Sequence, residues 1–136
     1  MTLLLASGSK TRAEILKKAK IGFKVVDHGV DEEELKISFN ELSPKDISIQ
    51  LSEIKAIKPS MKYSEDFVIG ADQVLDLNGT LINKAAHLQE AKKQILDLNG
   101  KTHKLITAIT IAKNGVVVWK HYDVAKITMR KLSEKQ

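Results

Sequence analysis

The chain has 136 residues and a mass of 15.1 kDa, enough for one domain around one core. With 43% hydrophobic and 29% charged residues it has an ordinary globular composition; no stretch approaches the ~20 apolar residues that cross a bilayer, so no membrane partner is expected. Zero cysteines exclude disulfides, thiolate nucleophiles and cysteine metal sites, while 22 Lys+Arg against 17 Asp+Glu (formal charge +5) favour an anionic partner such as a nucleotide, nucleic acid or other phosphate.

Leu3 to Ala6 is a short apolar run suited to a buried strand, and Ser7-Gly8-Ser9 bounds it. The apolar start lacks a basic n-region and leads straight into a Lys/Arg-rich helical pattern, so no signal peptide is expected and the expected location is cytoplasmic. Ser9 is a good N-cap, and Ile15, Leu16 and Ala19 recur at helical spacing until Gly22. Residues 23 to 26 read as a second short strand. An acidic patch, Asp31 to Glu34, follows. Ser43-Pro44 then starts a helix with Ile47, Leu51 and Ile54 as its apolar stripe, which Pro59 is expected to stop.

Phe67 to Leu75 (FVIGADQVL) is the strongest strand candidate, nearly all apolar with one acid in its middle, and Asn78-Gly79 marks a turn after it. Leu88, Ala91, Ile95 and Leu98 predict a further amphipathic helix, capped by Asn99-Gly100. From Thr102 the period becomes two, and Asn114-Gly115 joins Lys104–Ala112 to Val116–Met129 as a long β-hairpin. With no repeat and no Pro/Gly-rich linker, the expected fold is a single α/β domain, a mixed twisted sheet flanked by helices.

Three segments could carry chemistry. In ASGSKTR, residues 6 to 12, a strand ending in small hydroxylated residues leads into a helix with free N–H groups, an anion site to which Arg12 adds charge. The same residues also read as a plain serine cap beside a surface arginine. Asp72 lies within the apolar strand, and burying a lone carboxylate costs several kcal/mol unless it is paired, metal-bound or at the strand mouth. It is either a working acid or the acceptor for loop N–H groups. Lys55, next to the apolar stripe of its helix, and Lys84, after the Asn78-Gly79 turn, could reach a pocket or sit on solvated faces. The four histidines have no pair at metal-binding helical spacing, and His103 and His121 receive no role.

The strings LLLASGSKTRAEIL, VDEEEL, LSEIKA, VIGADQVL and NKAAHLQEAKKQILDLNGKTHKLITAITI resemble, in order and spacing, the successive motifs of the Maf family of nucleoside triphosphate pyrophosphatases. The resemblance covers essentially the whole chain and implies a Maf/ITPase-like architecture. It implies hydrolysis of a nucleoside triphosphate between the α and β phosphates, with a divalent metal, Mg or Mn, as cofactor and a homodimer as the usual assembly. Asp72 takes the family's general-base position, Ser7, Ser9 and Arg12 its phosphate-holding positions, and Lys55 and Lys84 its two lysines. The acidic block places Asp31 and Glu32 at candidate metal positions, of which Glu32 is put forward. Gln73 stands where members acting on dTTP and UTP commonly have threonine, as in the branch resembling 7-methyl-GTP pyrophosphatases.

Two departures stand out in the motifs. Ser-Pro-Arg-Arg is Ser9-Lys10-Thr11-Arg12, so Thr11 replaces an arginine linked to substrate choice, and Lys-Pro is Lys84-Ala85. Residues 1–136 are expected to be one Maf-like domain without the family's C-terminal segment. Two other classes compete with the enzyme: a nucleotide-binding remnant without turnover, and a basic nucleic-acid binder. The last is disfavoured because only six aromatics, 4% of the chain, are available for stacking.

Overall fold

A computed structural model describes residues 2–7, 9–39, 41–82, 92–93 and 100–128. The elements are β1 (Leu3–Leu5), α1 (Lys10–Lys18), β2 (Lys24–Val25), α2 (Glu32–Ser38), α3 (Pro44–Lys62), β3 (Phe67–Leu77), β4 (Thr80–Ile82), β5 (Thr102–Lys113) and β6 (Val116–Thr128). They form the expected α/β arrangement, one mixed sheet in the order β2-β1-β3-β5-β6 with β4 paired to β3. β1 runs parallel to β2 and β3, whereas β3, β5 and β6 are antiparallel neighbours. The sheet changes from parallel to antiparallel at β3, and the first half of β3 carries β1 on the edge where its last residues carry β4.

β3 is central because its sequence buries both faces: Val68, Ala71 and Val74 are all buried. Asn78 and Gly79 supply the positive φ values, 52° and 88°, of the tight turn into β4. Asn114 and Gly115, with φ of 49° and 79°, do the same for the β5–β6 hairpin, whose bounds agree with the alternation in the sequence up to Thr128. Met129, and most of the helix expected over residues 88 to 98, lie outside the described residues.

Helix α3 packs across β3 and β5 on one face of the sheet. Ser43 caps it by accepting from the Asp46 N–H at 3.2 Å, with Pro44 at the first helical position. The buried face is wider than the predicted stripe: Ser48, Ser52, Ala56 and Ser60, spaced by four, form a buried ridge of small residues. That ridge meets Gly70 of β3. A Cβ at position 70 would stand 2.4 Å from the Ala56 nitrogen and 2.5 Å from the Ser52 carbonyl oxygen, so the helix and strand backbones are nearly in contact. Ser52 shares a hydrogen bond of 2.8 Å with Thr110, and the Ser48 hydroxyl donates to the Asp72 carbonyl at 3.2 Å.

One expectation needs correction, and two elements differ from what patterning alone conveys. Pro59 does not stop the helix, which continues to Lys62 and closes with the Tyr63 N–H on the Pro59 carbonyl at 3.0 Å. Proline removes one intrahelical bond at a cost of about 3 kcal/mol, and burial of Ala56, Pro59 and Ser60 against the sheet offsets it. The acidic patch is a helix, α2, with Asp31 as its N-cap accepting from the Glu34 N–H at 3.2 Å. Helix α1 forms where expected, but its apolar residues are not core: none is buried, and Ile15 is 60% exposed. Ile15 and Leu16 instead wall a groove between α1 and the open face of the sheet.

Gly70→Ala should therefore lower stability by about 3 kcal/mol or prevent folding, because the added methyl meets backbone atoms that have no rotamer to escape into. A urea midpoint equal to that of the unsubstituted chain would show that helix and strand are free to separate.

Candidate active site

The residues that position the site come from five elements, β1, α1, α2, α3 and β3. β1 ends at Leu5, and Ser7 follows it into the turn before α1. The Ser7 hydroxyl accepts from the Ser9 N–H at 3.1 Å and from the Arg12 guanidinium at 2.9 Å. Ser9 caps α1, accepting from the Arg12 N–H at 3.3 Å. Both elements of the anion-site reading therefore occur together: a capped helix start, and an arginine folded back over it. The cap is not an alternative to the arginine but what orients it.

Asp72 lies on the face of β3 that α3 covers, opposite Ala108, whose small side chain leaves room for the carboxylate. It is 5% exposed. Its partner is Lys55, also 5% exposed, whose ammonium donates to Asp72 Oδ1 at 3.0 Å. The same ammonium pairs with Glu32 of α2. Lys55 thus lies within the buried face of α3 and not at its border, and it bridges two carboxylates. A lysine placed there without them would carry a buried, uncompensated charge.

The second carboxylate oxygen of Asp72, Oδ2, is buried and has no hydrogen-bond partner among the described residues. Loss of solvent pushes the Asp72 carboxyl above the usual aspartate range, against the opposing pull of the Lys55 charge and hydrogen bond. Glu32 behaves differently. Partial burial raises it, but the hydrogen bond and charge of Lys55, helped by Lys36 and His28, outweigh this and hold it below the usual glutamate value.

Ser7, Ser9, Arg12, Glu32, Lys55, Asp72 and Gln73 all line one cleft of about 730 Å³. Thr11 lies beside it, in an adjoining apolar groove of about 420 Å³ that shares Ser9, Arg12 and Gln73 with the cleft. Lys84 lies outside the described residues. His28, which the sequence did not single out, also lines the cleft; its Nδ1 accepts from the Val30 N–H at 2.9 Å and its Nε2 faces Glu32 at 4.0 Å. No motif marks it. Ser48, holding the Asp72 main chain, was recoverable from the four-residue spacing of small residues on α3.

Among the described residues no group of three or more His, Asp or Glu side chains gathers into a metal cage. The donors present are carboxylate oxygens, Glu32 and the unpartnered Asp72 Oδ2, the hard ligands suited to Mg²⁺ or Mn²⁺. One or two protein carboxylates, with the remaining positions left to water and substrate phosphate, is the usual arrangement for Mg²⁺, so Glu32 alone suffices for such an ion.

A family model described as Maf-like protein matches residues 2–136. The chain belongs to the Maf family. It is 44% identical over 132 residues to a protein of Caulobacter vibrioides named nucleoside triphosphate pyrophosphatase, with 96% of this chain and 66% of that protein covered. It is 38% identical over 132 residues to a Bartonella henselae protein named 7-methyl-GTP pyrophosphatase, covering 97% of this chain and 67% of the relative. This Maf chain thus spans about two thirds of the length of these curated relatives. A HAM1 protein from Coxiella burnetii shares the fold, with a TM-score of 0.62 at 14% identity, over 94% of this chain and 72% of that one. No helix among the described residues is long and apolar enough to cross a membrane.

The charge cluster sets a pH dependence with a definite sign. Asp72, raised in the native state, favours folding fully below its unfolded value near pH ~4, and that contribution is lost as pH rises through the folded value. Glu32, lowered, contributes above its unfolded value and loses that contribution on acidification. Lys55→Met should cost about 3 kcal/mol at pH 7, the low end for a broken buried pair because Glu32 is partly solvated. The deficit should shrink as pH falls from 7 towards the carboxylate range and the stranded acids take up protons. Urea unfolding across that range checks it; a deficit independent of pH would mean that Lys55 acts through packing alone.

Proposed function

We propose that this site hydrolyses nucleoside triphosphates between the α and β phosphates, releasing a nucleoside monophosphate and pyrophosphate. The observation that carries the reading is Asp72 Oδ2, a buried carboxylate oxygen without a hydrogen-bond partner among the described residues, in a cleft that also presents Arg12 over a helix start. A polyphosphate needs fixed cations and N–H donors, which Arg12 and the first turn of α1 supply; Lys84, outside the described residues, is proposed as a further cation on the resemblance alone. Ser7 holds the Arg12 guanidinium in place before substrate arrives.

A water must then lose a proton as it adds to phosphorus. Asp72 accepts that proton on Oδ2, and Lys55, bound to Oδ1, fixes the carboxylate plane and stabilises its charged form. The P–O bond between the α and β phosphates breaks, and pyrophosphate leaves. Glu32 is the residue that would hold a divalent Mg or Mn ion, which when bound would neutralise phosphate charge and polarise the bond to be broken. The relatives named nucleoside triphosphate pyrophosphatase support the reaction, and those named 7-methyl-GTP pyrophosphatase support a preference for methylated guanine nucleotides over dTTP and UTP. Gln73 and Thr11 at the meeting of cleft and groove are the proposed specificity residues.

Asp72→Asn should lower pyrophosphate release by about 10² or more while leaving nucleotide affinity nearly unchanged, because the amide keeps the shape and cannot take the proton. Unaltered turnover in that variant would remove Asp72 from the reaction. In the unsubstituted chain the acid limb of the rate profile should fall at a pH above that of an ordinary aspartate, following the raised carboxyl. Arg12→Ala should weaken triphosphate binding more than monophosphate binding, measured by titration calorimetry; equal weakening of both would give Arg12 a purely structural role.

A further inference from the structure

Gln73 is exposed, on the face of the sheet opposite α3, and it stands where the acid cleft opens into the apolar groove. A glutamine in that setting is ordinarily free to choose among rotamers, and an unfixed amide reads nothing selectively. Here it is not free. Gln73 lies directly opposite Thr107 in the β3–β5 register, and its side-chain nitrogen donates to the Thr107 hydroxyl at 3.1 Å. Thr107 is itself β-branched and placed mid-strand between two paired neighbours, β3 and β6, so its hydroxyl is a stiff anchor.

The bond uses one of the two N–H groups of the amide. Among the described residues nothing else bonds the carbonyl oxygen or the second N–H, which lie at the rim of the groove, whose walls are Leu5, Ile15, Leu16, Ile69 and Ile109. The groove is continuous with the cleft through Ser9, Arg12 and Gln73. Apolar walls with one oriented donor–acceptor edge suit a flat heteroaromatic ring with polar atoms on a single side, whereas the charged cleft suits its polyphosphate.

We propose that Thr107 is a positioning residue for base selection: by holding the Gln73 amide at the junction of cleft and groove, it presents a fixed donor–acceptor edge to a purine base lying in the groove. The assignment rests on the pyrophosphatase reading above and adds to it the residue that makes Gln73 selective. A guanine edge offers both a donor and an acceptor to such an amide. A pyrimidine attached to the same polyphosphate is a single ring and reaches less far along the groove. A loose amide would pair with either; a fixed one favours the ring whose polar edge comes to it.

The test compares dissociation constants of the full chain for GTP, 7-methyl-GTP, dTTP, UTP and inorganic tripolyphosphate, by titration calorimetry. Thr107→Val removes the hydroxyl and keeps the shape. It should narrow the ratio of guanine-nucleotide to UTP affinity about threefold to tenfold, the range for one hydrogen bond, with tripolyphosphate affinity unchanged. Thr107→Ser should restore the ratio. In a Gln73→Met background, which removes the amide at an exposed position, Thr107→Val should change the ratio no further. The proposal is overturned if Thr107→Val leaves the ratio unchanged, if it narrows the ratio equally without Gln73, or if it weakens tripolyphosphate in parallel. Should Thr107→Val unfold the chain, Gln73→Met alone decides, since it must narrow the ratio by the same factor. Absence of binding by any nucleotide would overturn the pyrophosphatase reading as well; nucleotide binding without purine preference would overturn this one alone.

Discussion

Everything in the site depends on how closely α3 lies against β3. Gly70 has no side chain, and the ridge of Ser48, Ser52, Ala56 and Ser60 has almost none, so helix and strand backbones meet where a methyl group would not fit. Lys55 is one position from Ala56 and Asp72 is two residues beyond Gly70 on the same face of the strand. The contact at Gly70 therefore sets the distance between ammonium and carboxylate. A wider spacing would leave a buried acid without its counterion, a state costing several kcal/mol. The serines in the ridge also serve the strand, since Ser48 and Ser52 bond to Asp72 and Thr110 across the interface.

The electrostatics follow from this packing. One ammonium serves two acids with unequal exposure, so the more buried one is raised and the more solvated one lowered. Two groups of the same chemical type are thereby differentiated by environment alone, which lets one be poised to take a proton while the other stays charged. Across the cleft, Arg12 is held by Ser7, an uncharged partner, and so keeps its full charge for an anion.

Much of this was readable in the sequence, and the failures have physical reasons. The strands of the antiparallel half announce themselves by alternation and by two Asn-Gly turns, and the β1–α1 turn by a serine cap. Asp72 stood out because an acid in an apolar run is costly. Helix α2 is hard to see in the sequence although Asp31-x-x-Glu34 is a capping pattern, because four acids in a row read equally well as a solvated turn. Pro59 signals a helix end by a local rule, which the burial on either side of it overrides. Lys55 borders its helix stripe only if serines count as polar, whereas on this helix they are the buried face. No pattern within the sequence pairs residue 32 with 55, or 73 with 107; those are products of the sheet register and of the helix contact.

Among the described residues the hairpin leaves β6 as the last strand of the sheet, 13 residues long and carrying exposed Val118, Trp119, Tyr122, Val124 and Ile127. An edge of that length and polarity is a template for adding further strands from other chains. Lys120, Asp123 and Lys126 interrupt it, and the register irregularity between Ile111 and Ala112 twists the pair locally. These charges work as gatekeepers only while they are ionised and poorly screened. Colloidal behaviour is thus tied to ionic strength, since salt that screens these charges weakens the protection they give the edge.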